Sequence, residues 1–364
     1  MLLLFHDQVT EEARNLVQAH VLRITGASSP HLVEIEGRYV LPLEASRIDR
    51  EADLFLTSLE AVECIIPINT PYKLVSRLFK EKTSTVIVGD DVVTRAVAFG
   101  GEQPPRIIAG PCAVENREQL FTIALAMNVA GADVLRGGAF KPRTSPYQFQ
   151  GLGVEGLALL AEARKVAGLP VVTEVMEPDM VEIVAQHVDM LQIGARNMQN
   201  YPLLQACGRQ KLPVMLKRAL SATIEEWLLA AEYIVAAGNP NVVLCERGIR
   251  SYDPHTRNVL DLTSVPLLHE LTHLPVIVDP SHATGKRTLV PTMARASIAA
   301  GADGIMVETH CNPDEAFCDG KQAISSQDVR DLVQYSRAIT ALSYEERKNA
   351  THDHSVVRPH SIVR

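Results

Sequence analysis

The sequence predicts an α/β protein: a parallel (β/α)8 barrel preceded by a small α+β domain of ferredoxin-like type. Three observations predict it. From Arg106 onward a short β-branched run, a loop rich in charge and Gly/Pro, and an Ala- and Leu-rich helical segment recur eight times. The runs are near-continuously apolar, as strands buried on both faces require. The first 80 residues follow a different order, in outline β-α-β-β-α-β. A chain of 364 residues also exceeds the size, about 250 residues, at which one core stops growing, so two domains are expected.

Residues 1–80 form the first domain. Leu2–Phe5 is a strand; its apolar start lacks a basic flank and meets acidic residues at once, so it does not read as a signal peptide. Thr10–Val21 is a helix with Leu16, Val17 and His20 on one face. His31–Val40 is strand-like, Arg47–Leu59 is helical and Val62–Ile68 closes the unit. Residues 81–105 hold a hairpin, Ser84–Val88 and Val92–Phe99 about the turn Gly89-Asp90-Asp91, and then a Gly/Pro linker. The barrel spans 106–342. Its strands are Arg106–Ala109, Asp133–Arg136, Pro170–Glu174, Met190–Gly194, Val214–Lys217, Val242–Glu246, Val276–Asp279 and Gly304–Glu308, with helices such as Leu120–Ala130, Gly156–Val166, Ile224–Ala237 and Met293–Ala300 between them. An open doubly wound sheet is the alternative, but no glycine-rich nucleotide loop stands in the context such a sheet would need. Residues 343–364 are polar, carry three histidines and read as a mobile tail.

Composition excludes several function classes. No apolar run approaches the roughly 18 residues that span a bilayer. A net charge of −8 argues against general nucleic-acid binding, and six dispersed cysteines suit reduced thiols in the cytoplasm. Against this acidic background the predicted strand ends stand out. In order they carry Cys112, Arg136, Glu174, Arg196, Lys217, Arg247, His282 and Glu308, at the face where such barrels keep their active sites. Any one of them reads as a solvated loop residue or a small buried group. Cations repeated at one mouth imply an anionic ligand, carboxylate or phosphate. Cys112, His282, Glu308 and Asp319 offer thiolate, imidazole and carboxylates to a divalent transition metal, provided the barrel closes and brings its first strand beside its last two. Gly137–Ser145 combines glycines, two cations and two hydroxyls in a loop able to wrap a phosphate.

At these residues the chain resembles the 3-deoxy-arabino-heptulosonate-7-phosphate (DAHP) synthases with a short barrel and an N-terminal ferredoxin-like extension. The motifs that carry the resemblance are Ala109-Gly-Pro-Cys-Ala-Val-Glu115, Leu135-Arg-Gly-Gly-Ala-Phe-Lys-Pro-Arg-Thr-Ser145, Gln192-Ile-Gly-Ala-Arg-Asn197, Leu216-Lys-Arg218, Cys245-Glu-Arg-Gly-Ile-Arg250, Asp279-Pro-Ser-His282 and Asp319-Gly320. It extends to about residue 340 and takes in Pro71–Arg77 at the domain junction.

The resemblance implies a transferase of the shikimate pathway to aromatic amino acids, joining phosphoenolpyruvate to erythrose 4-phosphate. It implies that Cys112, His282, Glu308 and Asp319 hold the metal, Mn2+ first and Fe2+, Co2+ or Zn2+ otherwise. Arg136, Lys141, Arg196, Lys217 and Arg247 would surround phosphoenolpyruvate, Arg143 and Thr144 the phosphate of the aldose, and Asp279 its hydroxyls. Lys141, His282 and Cys112 are the expected catalytic residues, the first two as proton-transfer candidates. Sister enzymes that take arabinose 5-phosphate carry a Lys-Ala-Asn-Arg-Ser type of segment where this chain has Lys141–Ser145. A barrel that only binds a phosphorylated metabolite would show a broken ligand position, and none is broken. The N-terminal domain has no comparable cluster of chemistry; it reads as regulatory, answering by resemblance to an aromatic amino acid such as tyrosine or phenylalanine, or else as a stabilising or oligomer-forming appendage. A homotetramer is expected by resemblance. Cys311, Cys318 and the histidine-bearing tail depart from the family pattern.

Overall fold

A computed structural model describes residues 1–26, 31–35 and 37–353. The first domain is a four-stranded sheet of β1 (Leu2–Phe5), β2 (Val33–Ile35), β3 (Arg38–Pro42) and β4 (Val62–Ile66), with α1 (Glu11–Thr25) and α2 (Arg50–Thr57). Its order is β2-β3-β1-β4 with every neighbour antiparallel, the ferredoxin-like arrangement. The stretch read as one strand-like run therefore turns back on itself, with Gly37 at φ 80° where a Cβ would be disfavoured. Thr10 caps α1 by accepting from the Ala13 amide, and the chain leaves the helix through a left-handed Gly26. The buried face of α1 is Val17 and Val21; Leu16, expected there, is 58% exposed.

Period-2 alternation splits β1 between two cores. Leu3 and Phe5 pack with Val17, Val21 and Leu56 beneath the helices. Leu2 and Leu4 join a cluster that continues through Ile68, Tyr72, Leu74 and Val75 into the helical layer of the barrel. The junction is pinned by one carboxylate: Glu232 accepts from the backbone amides of Lys73, Leu74 and Val75 at 2.9, 2.9 and 3.0 Å.

The hairpin of β5 (Thr85–Val88) and β6 (Val97–Gly100) starts its second strand later than the sequence suggests. Val92 and Val93 lie in the connecting loop because Asp90 accepts from the amides of both, which turns the chain before it can extend. Val86, Val88, Val97 and Phe99 form one core with an inward residue from each barrel strand, Ile108 and Met306 among them. Because Arg106, at the start of the first barrel strand, donates to Ala98, the hairpin plugs the N-terminal mouth.

The barrel strands are β7 (Arg106–Gly110), β8 (Val134–Arg136), β9 (Val171–Val175), β10 (Met190–Ile193), β11 (Val214–Lys217), β12 (Val242–Glu246), β13 (Val276–Val278) and β14 (Gly304–Glu308). All pair in parallel, and β14 pairs with β7 to close the ring, which excludes the open sheet. Around it lie α3 (Arg117–Ala130), α4 (Val154–Ala167), α5 (Val181–Ala185), α6 (Tyr201–Gly208), α7 (Ile224–Ala236), α8 (Ser264–Leu271), α9 (Pro280–Thr284), α10 (Val290–Ala299) and α11 (Ser326–Asp353). Thr223 and Glu226 form a capping box that starts α7, and the Trp227 indole on that helix donates to Leu216 of β11. α11 runs through Asp353, so the first half of the stretch read as a tail is helical; residues 354–364 lie outside the described residues. Among the described residues no helix is long and apolar enough to cross a membrane.

Burial pushes the Glu232 carboxyl up from its ordinary value while the three amides oppose the rise. Glu232→Ala would leave those amides without an acceptor, an expected loss of about 2–4 kcal/mol in urea-induced unfolding. Unchanged stability would show that the junction is held by apolar packing alone.

Candidate active site

The two ends of the barrel differ in chemistry. The N-terminal mouth is filled by apolar side chains, and the C-terminal mouth collects ionised ones. Glu308 ends β14 opposite Gly110, the last residue of β7, and Cys112 follows two residues on. His282 sits on α9, where Asp279 caps the helix by accepting from the His282 amide at 3.0 Å. Asp319 precedes a short 3-10 turn with φ 56°, a left-handed conformation that aspartate tolerates better than most residues. One atom from each of Cys112, His282, Glu308 and Asp319 lies within 4.8 Å of the others.

Several features fit this group to a divalent transition ion. Glu308 is fully buried, and Gln322 donates to its Oε2 at 2.6 Å. Its Oε1 faces Arg136 Nη2 at 3.1 Å and His282 Nε2 at 3.2 Å yet accepts no aligned hydrogen bond. Asp279 Oδ2 accepts from His282 Nδ1 at 2.7 Å, which turns the Nε2 lone pair toward the cluster. Mixed thiolate, imidazole and carboxylate donors suit such a metal. Burial would raise the Asp279 carboxyl, but His282 and Lys217, the latter at 2.6 Å, hold it well below the ordinary range. Burial would also raise Asp319; His282, Arg257 and Lys141 outweigh it and bring the group to about 2. Burial lowers His282 against the pull of Asp279 and Glu308, which favours the neutral imidazole a ligand must be. A hydrogen bond with Cys318, burial and the charge of Glu308 together raise the Cys112 thiol.

Beside the cluster opens a cavity of about 250 Å³ whose wall is dominated by cations. Arg136, Lys141, Arg143, Arg196, Lys217 and Arg247, all expected from the sequence, line it together with Thr144, His282 and Asp319. Nε and Nη1 of Arg136 are buried without a protein acceptor. Burial would lower Lys141, but Cys112, Cys318 and Glu308 more than compensate, so its ammonium is held firmly charged. Its Nζ donates to Cys112 O at 3.0 Å and to Cys112 Sγ at 3.1 Å. The approach needs glycine at 138, since a Cβ there would stand 2.7 Å from Cys112 O and 2.8 Å from Lys141 Cδ.

The structure puts some expected residues below the cavity rather than on it. Cys112 and Glu308 are 5% and 0% exposed and do not line the cavity. Asp279, expected near aldose hydroxyls, is fully buried and does not line the wall; its oxygens are committed to Lys217 and His282. Three participants were not singled out from the sequence. Arg257 reaches Asp319 Oδ1 at 3.5 Å and Gln322 at 3.2 Å, Gln322 steadies Glu308, and Gln192 donates to Glu174 at 3.2 Å. Arg257 lies deep in a long loop, where no strand end marks it. Gln322 is neutral and gives no charge signal, although its place three residues after Asp319 could have found it.

A model of the DAHP synthetase I family matches residues 80–342. The phospho-2-dehydro-3-deoxyheptonate aldolase of Thermotoga maritima is 48% identical over 283 residues, covering 78% of this chain and 81% of the relative. The crystal structure of that organism's phospho-2-dehydro-3-deoxyheptonate aldolase (DAHP synthase) superposes with a TM-score of 0.72 at 42% identity, covering 94% of this chain and 97% of the other. A 2-dehydro-3-deoxyphosphooctonate aldolase of Bradyrhizobium diazoefficiens is more distant, 34% identical over 269 residues, 69% of this chain and 95% of the relative. Family match, relatives and site geometry agree, and the chain belongs to the DAHP synthetase I family.

Proposed function

We propose that the chain is a metal-dependent DAHP synthase that condenses phosphoenolpyruvate with erythrose 4-phosphate and water, releasing DAHP and phosphate. The observation that carries this reading is a cavity lined by six expected cations directly beside a four-residue metal-competent cluster. The C3 carbon of phosphoenolpyruvate attacks the aldehyde carbon, water adds at C2, and C–O cleavage frees the phosphate. Arg136, Arg196, Lys217 and Arg247 hold the carboxylate and phosphate of phosphoenolpyruvate, and Arg143 with Thr144 holds the aldose phosphate. Fixing two anions in attack geometry, in a site already polarised for them, is where most of the rate would come from. A divalent ion, when bound, supplies Lewis-acid polarisation of the aldehyde oxygen. Cys112, His282 Nε2, Glu308 and Asp319 would hold it, with Mn2+ favoured by the two carboxylates and Fe2+, Co2+ or Zn2+ admitted by the thiolate and imidazole.

With His282 Nε2 a ligand atom and its Nδ1 tied to Asp279, proton transfer falls to Lys141. Its Nζ, on the cavity wall, is the group placed to deliver a proton to the developing alkoxide. Asp279 acts through its neighbours, orienting His282 and Lys217. Cys112→Ala should lose both bound metal, by elemental analysis, and turnover, while thermal unfolding stays near that of the native chain. Retention of both would remove Cys112 from the ligand set.

Arabinose 5-phosphate is the competing substrate, since the Bradyrhizobium relative is named for the octonate product. Erythrose 4-phosphate is favoured because Arg143 and Thr144 of Lys141–Ser145 both line the cavity. Following loss of the enolpyruvate absorbance with each aldose separates the two. Arg143→Ala should raise KM for erythrose 4-phosphate roughly tenfold to a hundredfold, as losing a charge-assisted phosphate contact does, with little change for phosphoenolpyruvate; an equal change for both would unseat Arg143 from the aldose end.

We place the enzyme in the cytoplasm, consistent with six unpaired cysteines, and expect a homotetramer. The first domain is assigned a regulatory role, answering to tyrosine or phenylalanine. Inhibition by these amino acids should disappear when residues 1–80 are deleted; equal inhibition of the shortened and full chains rules the role out.

A further inference from the structure

A second cavity, of about 330 Å³, adjoins the first and shares Arg196, Arg247 and Arg257 with it. Arg250 and Asn258 line it as well, so four guanidiniums face one space, and no carboxylate among the described residues does. In a chain of net charge −8 this is a strong local excess of positive charge. The outer arginines are carried on fixed backbone. Ile249 and Val259 exchange both amide hydrogen bonds at 2.9 Å, and the Arg250 amide donates to Leu220 O at 2.7 Å. Asn258 donates from its amide to Ala283 O at 2.7 Å and from Nδ2 to His282 O at 2.9 Å. Gly248, at φ 88°, permits this packing, since a Cβ there would stand 2.7 Å from Asn258 Cβ. Arg247 is buried while Arg196, Arg250 and Arg257 are exposed, so the space leads from the end of β12 out to solvent. The Arg196 and Arg250 side chains make no hydrogen bond or ion pair among the described residues. Burial pushes Arg247 down from its ordinary value; Asp279 opposes the fall and the like charge of Arg257 adds to it. Forked donors in such number, short of acceptors, suit a tetrahedral oxyanion.

We propose that this second cavity is a site for inorganic phosphate, which receives the phosphate freed by C–O cleavage and passes it to solvent. The source of that phosphate rests on the reading of the chain as a DAHP synthase; the site itself rests on the four arginines. Arg196 and Arg247 belong to both cavities, so a phosphate parted from the enolpyruvate carbon changes donors without losing guanidinium contact. Arg250 and Arg257 take it over from the outer side. Arg143 and Thr144, assigned to the phosphate of the aldose, lie on the first cavity and not on the second. Inorganic phosphate can therefore depart while the sugar acid is still held by its own phosphate.

The test uses the full chain with Mn2+ and saturating phosphoenolpyruvate but no aldose, so that the first cavity is filled and nothing turns over. Equilibrium dialysis against radiolabelled inorganic phosphate should show saturable, stoichiometric binding. Arg250→Gln should weaken it roughly tenfold to a hundredfold, the loss of one charge-assisted contact, with phosphoenolpyruvate affinity as in the native chain. Arg250→Lys should recover part of the loss. Phosphate that phosphoenolpyruvate displaces completely, binding that never saturates, or equal binding by the native chain and Arg250→Gln overturns the site. During turnover, added phosphate should inhibit the native chain even at saturating phosphoenolpyruvate, and Arg250→Gln should relieve that inhibition. Inhibition that phosphoenolpyruvate competes away entirely removes the role in release. Should phosphoenolpyruvate itself fail to bind, the DAHP synthase reading falls instead, and the phosphate isotherms of the native chain and Arg250→Gln still decide the site. Should Arg250→Gln fail to fold, Leu220→Glu, which sets a carboxylate in the same wall, should weaken phosphate binding; unchanged affinity overturns the site.

Discussion

The parallel ladder between β14 and β7 pairs Gly304 with Arg106 at one end and Glu308 with Gly110 at the other, and the functional mouth depends on it. Without that ladder Cys112 and Glu308 are almost two hundred residues apart on unrelated strands. With it, the thiol after β7 and the carboxylate ending β14 share one rim, and the chain beyond Glu308 returns across the mouth. Thr309 donates to Gly110 at 2.9 Å and Ile324 to Glu308 at 2.8 Å, so the loop that carries Asp319 is tied at both ends. The fourth member of the cluster reaches the other three because this loop is short and anchored.

Burying so much charge is unfavourable unless each ion is paired. Asp279 and Glu308 are fully buried, and Arg136, Lys217 and Arg247 nearly so. Their pairing is mutual: Lys217 and His282 share Asp279, while Arg136, His282 and Gln322 surround Glu308. The compensation is nonetheless incomplete, because two nitrogens of Arg136 and one oxygen of Glu308 make no hydrogen bond among the described residues. A site so arranged has residual demand for an anion at the guanidinium and for a cation at the carboxylate. That is the complementarity required of a barrel that gathers a phosphorylated anion and a metal at one mouth. The apolar plug at the opposite mouth and the wholly buried strands supply the stability that holds these groups in place.

The first domain stands apart from this chemistry but not from the fold. Its sheet is apolar on both faces, one turned to its own helices and one joined to the barrel cluster. The Pro71–Arg77 segment that continues from it is fixed to α7 by Glu232 and to the end of α8, where the Arg77 side chain donates to His269 and its amide to Leu271. A change in that domain has a direct mechanical connection to the barrel wall.

Periodicity in the sequence determined the architecture, because strands buried on both faces and helices with one apolar face leave repeats that can be read in one dimension. The same repeats placed Arg136, Lys217, Arg247 and Glu308 at strand ends, where parallel barrels present their side chains. Boundaries that depend on local polar competition were less legible: Asp90 turned the hairpin early, and the helix at the end of the chain outlasted the apolar pattern that begins it. Only the tertiary structure decided that Asp279 serves Lys217 and His282 from below rather than facing the cavity, and that Arg257 and Gln322 belong to the site at all. Only it set Cys318 against Cys112. The physical reason is the same in each case: periodicity reports which face of an element is apolar, whereas the partner of a buried polar group is chosen by distances across the closed ring that no local pattern encodes.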